Sequence, residues 1–224
     1  MKERPILFSA PMVRALLDGS KTQTRRGLKK QFPDDAVMAE MPATDPIGGW
    51  VISGHSGLWW DDAASCFDDA IRCPYGQPGD RLWVRETFTD LLGTGIEHRP
   101  IPSGPMQRYV YAADIKPGSY GYDARKEFGV KWKPSIFMPR AASRITLEIT
   151  AVRVERLQDI SDGDARAEGA RNLDVASGRE TLDPYSRQGS CVAHYKHIWQ
   201  QINGADSWDA NPWVWVIEFK RIES

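Results

Sequence analysis

Residues 145–169 read Ile-Thr-Leu-Glu-Ile-Thr-Ala-Val-Arg-Val-Glu-Arg-Leu-Gln-Asp-Ile-Ser-Asp-Gly-Asp-Ala-Arg-Ala-Glu-Gly. Ile145, Leu147 and Ile149 alternate with polar residues, which predicts a strand through Ser143–Leu157. Val152 and Val154 continue on the other phase, so one extra residue near Thr150–Ala151 predicts a bulge or bend. A helix start follows. Ser161 is a capping residue, Asp164 stands three positions on, and Ile160 can staple to Ala165. The helix so begun carries Glu168 and stops near Gly169.

Upstream, Pro5–Phe8 predicts a short strand. A helix then starts with Ser9 as cap and Pro11 early in its first turn, with Met12, Leu16 and Leu17 on one face and Gly19 as its stop. Thr22–Arg26 is strand-like. Pro78-Gly79-Asp80 turns into a strand over Arg81–Phe88, which places Leu82, Val84, Glu86 and Phe88 on one face. Gln107–Ala112 is a further strand. Downstream, a helix is predicted over 191–202 with Val192, Tyr195, Ile198, Trp199 and Ile202 on its buried side, and Trp213–Ile222 is a closing strand. Residues 30–80, 89–106, 113–142 and 172–189 lack periodicity and read as loops, the first of them ordered because Trp50, Trp59 and Trp60 need partners. Several strands with two or three short helices define an α+β protein built on a β-barrel.

The 224 residues suit one domain with elaborations or two small ones, long enough to bury a core without staples. Nine Trp is a high count, and Trp brings flat faces and buried bulk. Lys plus Arg is 29 against 30 Asp plus Glu, so the basic surplus of a general polyanion binder is missing and a small or local substrate is favoured. Three cysteines make no disulfide framework, the N-terminus carries no signal pattern, and no apolar run is long enough to span a membrane; a cytoplasmic home is expected. Cys66 and Cys73 are separated by six residues, outside the usual structural zinc spacing, and His194 and His197 read as a surface pair. No metal or other cofactor is expected.

Three polar features stand out. The first is Gly19-Ser20-Lys21-Thr22-Gln23-Thr24-Arg25-Arg26. Lys21 and Thr24 are three apart and cannot share a face of a straight strand, but they converge if Lys21 lies in the turn before it. A desolvated Lys loses pKa and becomes a base, and a hydroxyl beside it an activated nucleophile; composition alone favours a surface turn with solvated cations. The second is Glu168, which by itself reads as solvated helix surface. The third is Glu86, whose strand parity points it inward. A buried carboxylate needs a partner or a raised pKa, and Arg26 and Lys21 are its candidate partners.

Four segments together resemble the ASCH superfamily, whose barrel is related to the PUA domain: residues 11–26 with their Gly-x-Lys turn, Pro78–Leu82, Ile145–Gly169 and Trp213–Ile222. Within it the likeness is greatest to the small bacterial N4-acetylcytidine amidohydrolases, whose Lys-Thr-x-Thr turn is matched by Lys21-Thr22-Gln23-Thr24. The resemblance implies one ASCH-like domain over 1–224 and a PUA-like barrel with short flanking helices. It implies Lys21 as proton acceptor, Thr24 as nucleophile and Glu168, kept protonated by burial, as proton donor. The reaction implied is removal of an acyl group from N4 of a cytidine-type nucleoside. Arg26 or a backbone N–H would meet the oxyanion. Glu86, Trp83 and Trp132 join Arg26 as substrate-binding candidates, the Trp rings by stacking on the base. The likeness covers less than half the chain. Long insertions at about 30–78 and 89–140 set it apart from the small enzymes and resemble those of phage and prophage proteins. The competing readings are a PUA-like RNA-binding module with Lys21, Arg25 and Arg26 on phosphates, a ribonuclease using the same cleft, and a phage-related interaction protein with a degenerate site.

Overall fold

The computed structural model describes residues 1–32, 71–95, 105–115, 129–171 and 191–222, and the backbone alone of 37–40, 50–53, 173–174, 179–180 and 189–190. The expected packing of Trp59 and Trp60, and Cys66, lie outside the described residues; of Trp50 only the backbone is described. The fold is mixed α+β. Its elements are β1 (Glu3–Leu7), α1 (Ala10–Leu17), β2 (Gln23–Gly27), β3 (Val37–Glu40), β4 (Trp50–Ser53), β5 (Arg81–Arg85), β6 (Phe88–Asp90), β7 (Tyr109–Tyr111) and β8 (Thr146–Arg156). Then come α2 (Asp162–Ala167), β9 (Leu173–Asp174), β10 (Arg179–Glu180), β11 (Gly189–Ser190), α3 (Cys191–Asn203) and β12 (Trp213–Ile222). The chain divides into two compact units, one of residues 1–19, 81–148 and 221–224, the other of 20–80 and 149–220.

In the first unit β1 runs parallel to β5 with Ile6 opposite Val84, and β5 pairs antiparallel with the start of β8, Leu82 opposite Leu147. Leu82, Val84, Glu86 and Phe88 are all buried, so the expected inward face is present. The expected continuous strand, however, breaks after Arg85. Phe88–Asp90 pairs instead with β7, and the Phe88 backbone exchanges hydrogen bonds with Lys133. Phe88, Tyr111, Met138 and Ala142 form a core cluster there. On α1 the buried stripe is Val13 and Leu16, while Leu17 is exposed. Met12, the other outer residue of the expected face, is half-buried. Pro11 and Gly19, at φ +80°, frame this helix as expected.

In the second unit β8, β12 and β2 lie side by side. The pairing of β12 with β2 is antiparallel and sets Ile217 opposite Thr24 and Glu218 opposite Gln23. The inward phase of β8 changes between Ile149 and Val154, both buried, in line with the break read from the sequence. The capping box closes on α2: Ser161 Oγ accepts from the Asp164 N–H at 3.0 Å, and Asp164 Oδ2 accepts from the Ser161 N–H at 3.3 Å. Ile160, Ala165, Tyr195, Trp199, Trp208, Val214 and Val216 share the core of this unit. Each large side chain there contributes about 1.5–3 kcal/mol by leaving water. Ile202, expected on the buried side of α3, is 56% exposed because the helix has run past this core at its last turn. A closed barrel is not formed among the described residues; what they contain is sheet flanked by short helices.

Candidate active site

Lys21 sits just ahead of β2, where the chain is gripped on two sides. The Thr22 N–H donates to the Ala167 carbonyl at 2.8 Å, and the Thr22 carbonyl accepts from the Phe219 N–H at 2.9 Å. An isolated antiparallel bridge joins Lys21 to Glu168. Residue 168 is the C-terminal cap of α2, so the Ser161 capping box that starts this short helix also fixes where the carboxylate stands. Sequence positions 147 apart are thereby brought into contact.

The Lys21 ammonium donates to the Glu168 backbone carbonyl at 2.8 Å and to Glu168 Oε2 at 2.7 Å. The two side chains are 0% and 3% exposed. Burial pushes the Lys21 pKa below its ordinary value; the Glu168 carboxylate pulls it up, and Arg26 and Arg25 push it down again. Glu168 Oε1 has no hydrogen-bond partner among the described residues, although Arg25 Nη1 stands 3.8 Å away.

Arg25 is fully buried and links this pair to a wider network. Its Nη2 donates to Glu155 Oε2 at 2.9 Å and lies 3.4 Å from Asp164 Oδ2. Arg153 binds Glu155, Glu218 and Asp164, the last at 3.2 Å. Gln23 lies between Asp164 and Arg25. With its amide oxygen turned to Arg25, its nitrogen donates to Asp164 Oδ1 at 3.2 Å. Burial raises the Asp164 carboxyl, but the Ser161 hydroxyl, Arg25 and Arg153 outweigh it and hold it below the usual range. On α3, burial pushes the Tyr195 phenol well up, and the Glu168 charge adds to that.

Strand alternation sorts the expected site residues. Gln23 and Arg25 face α2 together with Lys21; Thr24, 2% exposed and opposite Ile217, belongs to the other face of β2. Arg26 is half-buried and stands opposite Trp215. Glu86, Trp83 and Trp132 belong to the other unit. Glu86 does not pair with Lys21 or Arg26, the partners its sequence context suggests: its carboxylate receives the Arg144 guanidinium, at 2.9 Å from Nε and 3.0 Å from Nη2. Trp83 lies under the guanidiniums of Arg85 and Arg140, and Trp132 is half-buried. His194 Nδ1 contacts the Arg171 backbone and His197 Nε2 the Gln201 amide, which fits the surface pair expected.

Sequence reasoning places Arg26 at the catalytic site, gives Arg25 only to the RNA-binding reading and Asp164 only to the helix cap, and passes over Glu155. Strand parity with Lys21 points to Gln23 and Arg25; nothing local ties Glu155 to the site, because Arg25, which does so, is 130 positions away. Among the described residues no group of His, Cys, Asp and Glu is placed to hold a metal ion, and no helix is long and apolar enough to cross a membrane. Comparison of the chain with protein-family models, with curated proteins and with solved structures gives no match.

Proposed function

We propose that the chain is an amidohydrolase of the ASCH type, with a PUA-like barrel, that removes an acyl group from N4 of a cytidine-type nucleoside. The observation that carries this reading is the enclosed Lys21–Glu168 pair. It joins the two groups that the Lys-Thr-x-Thr turn and the helix-borne Glu were expected to supply, at 2.7 Å and out of water. An amine whose pKa is lowered by burial, with a carboxylate to take its proton, is a base and an acid in one contact. A purely structural ion pair gains little from such burial, since desolvation offsets its attraction.

With the shared proton on Glu168, Lys21 is a neutral amine. It takes the proton of the Thr24 hydroxyl as that oxygen bonds to the amide carbonyl carbon. The carbon–N4 bond then breaks, and N4 leaves as an amine with the Glu168 proton. Lys21 hands its proton back to Glu168 and is neutral again. Water then attacks the acyl ester on Thr24 and gives a proton to Lys21, which passes it to the departing Thr24 oxygen, so that Thr24 regains its hydrogen and the carboxylic acid departs. Arg26 meets the developing oxyanion. No cofactor enters.

The test is incubation of purified chain with N4-acetylcytidine, followed by the ultraviolet change of the pyrimidine, beside a short RNA followed for strand integrity. Release of cytidine and acetate with intact RNA is the expected result. Cleaved RNA with untouched nucleoside would transfer the same cleft to a ribonuclease, and binding of RNA without chemistry would leave an RNA-binding module. Strand parity sets Thr24 on the face of β2 away from Gln23 and Arg25, so its role needs a test of its own. Thr24→Ala should abolish hydrolysis; retained turnover would give the nucleophile's place to a water activated by Lys21.

A further inference from the structure

The first unit contains a hollow of about 210 Å³ that the catalytic proposal does not use, lined by Gln107, Arg108, Tyr109, Tyr111 and Arg144. Tyr109 and Tyr111 are two apart on β7 and so lie on one side of that strand, while Gln107 and Arg108 precede it at a bend of the chain. Each tyrosine carries a guanidinium. Arg108 lies over the Tyr109 ring at 5.0 Å and Arg144 over the Tyr111 ring at 3.9 Å.

Both guanidiniums are held in plane from behind. Arg108 Nε and Nη2 donate to the two oxygens of Asp90 at 2.8 and 2.7 Å. Arg144 donates Nε and Nη2 to Glu86, and Nη1 and Nη2 to Asp114 at 2.6 and 2.9 Å. The Tyr111 hydroxyl donates to the Ala142 carbonyl at 2.9 Å, which locks that ring as well. These walls are fixed before a ligand arrives, so little ordering is lost on binding. Glu86 is 2% exposed, and burial raises its carboxyl pKa against the pull of Arg144. A buried carboxylate is expensive to keep, and here it serves to hold one arginine flat.

The charges select the ligand. Two guanidiniums face three carboxylates, and Lys133 adds one positive charge near Asp90, so the surroundings are close to neutral. The forks that would grip a phosphate are already occupied by carboxylates. What remains is planar, polarisable surface, with the Gln107 amide offering one donor and one acceptor at its edge.

We propose that this hollow binds the uncharged heteroaromatic ring of a free nucleoside, stacked against the Arg108–Tyr109 and Arg144–Tyr111 pairs. The proposal stands apart from the amide hydrolysis read at Lys21.

Isothermal titration of the full chain with cytidine, uridine and adenosine, and with CMP as the phosphorylated control, tests it. At least one nucleoside is expected to bind saturably, with similar affinity at about 50 mM and about 500 mM salt. Arg108→Ala removes a half-exposed side chain and should weaken that binding about tenfold with an unchanged urea midpoint. Gln107→Ala should weaken it by a smaller factor. Lys21→Ala should leave it intact, which separates this site from the catalytic one. Absence of saturable binding by all three nucleosides, full affinity in Arg108→Ala, loss of binding in Lys21→Ala, or CMP binding more than about tenfold tighter would each overturn the proposal.

Discussion

The two units each bury a carboxylate against a cation, and the choice of cation separates them. Glu168 meets a lysine with almost no exposure on either side; Glu86 meets an arginine whose side chain is 26% exposed. A buried ammonium has its pKa lowered and can become a neutral base. A guanidinium pinned by two carboxylates is driven the other way, its pKa raised by Glu86 and Asp114 in spite of burial. The first contact can move a proton. The second can only hold a flat positive charge in place. Burial alone offers no such distinction, because both acids are enclosed just past the end of a regular element.

The most forceful way to break this contrast is to give the first pair the cation of the second. Lys21→Arg keeps the charge and removes the titratable amine. N4-acetylcytidine hydrolysis should fall by about 10³-fold or more in kcat, and Lys21→Ala should match it. Circular dichroism checks that both variants remain folded. Wild-type turnover in folded Lys21→Arg would show that the amine is no base. Glu168→Gln should be impaired to a similar degree.

Next in size is the second pair. Glu86→Ala leaves Arg144 half-enclosed with Asp114 as its remaining anion. Breaking a buried pair costs about 3–5 kcal/mol, and the water that reaches Arg144 reduces this to about 2–3 kcal/mol by urea denaturation. In a double-mutant cycle with Arg144→Ala the two losses should fall short of additivity. Full additivity would make the contact incidental.

The pairs also respond to pH in opposite directions. The lowered Lys21 pKa means that the folded chain binds fewer protons than the unfolded one between that value and 10.5. Its contribution to stability therefore rises with pH across that alkaline window. The raised Glu86 pKa means that the folded chain keeps a proton longer between 4.5 and its own value, so stability falls as pH rises through that acidic window. Each slope is at most about 1.4 kcal/mol per pH unit. Lys21→Met should flatten the first and Glu86→Gln the second, read from urea midpoints across pH.

Much of this contrast is legible in the amino-acid sequence, because its backbone signals are local. Ser161 and Asp164 announce a capping box within four residues, Leu82–Phe88 display their parity, and Trp213–Ile222 is a strand at the bounds expected. The partners are less legible. Arg144 follows a 3-10 turn at Arg140–Ala142 that periodicity does not reveal, and it reaches Glu86 across 58 positions. The break after Arg85 is hidden because Phe88 keeps the parity of Leu82 and Val84 while its backbone changes partner to Tyr111. Polar contacts depend on pairing between distant segments, whereas burial parity is written residue by residue.

The smallest predicted effect sharpens the first region from outside its charges. The α2 helix has six residues, too few for its own hydrogen bonds to sustain it, so it relies on its cap and on packing. Ser161→Ala removes the acceptor for the Asp164 N–H and the hydroxyl donor, at 2.8 Å, to Asp164 Oδ2. The expected loss is about 1 kcal/mol in urea denaturation. Asp164 also faces Arg25, which stands 3.8 Å from Glu168, so a slackened cap loosens the frame around the carboxylate. Turnover should drop by only about two- to fivefold, with Ser161→Thr restoring most of both losses. If turnover is unchanged while stability falls, then α2 merely carries Glu168 and the Lys21 contacts alone fix its position. A drop approaching that of Lys21→Arg would instead assign proton transfer to the whole network of Asp164, Arg25 and Glu168, and the unit would differ from its neighbour by a connected polar frame rather than by one amine.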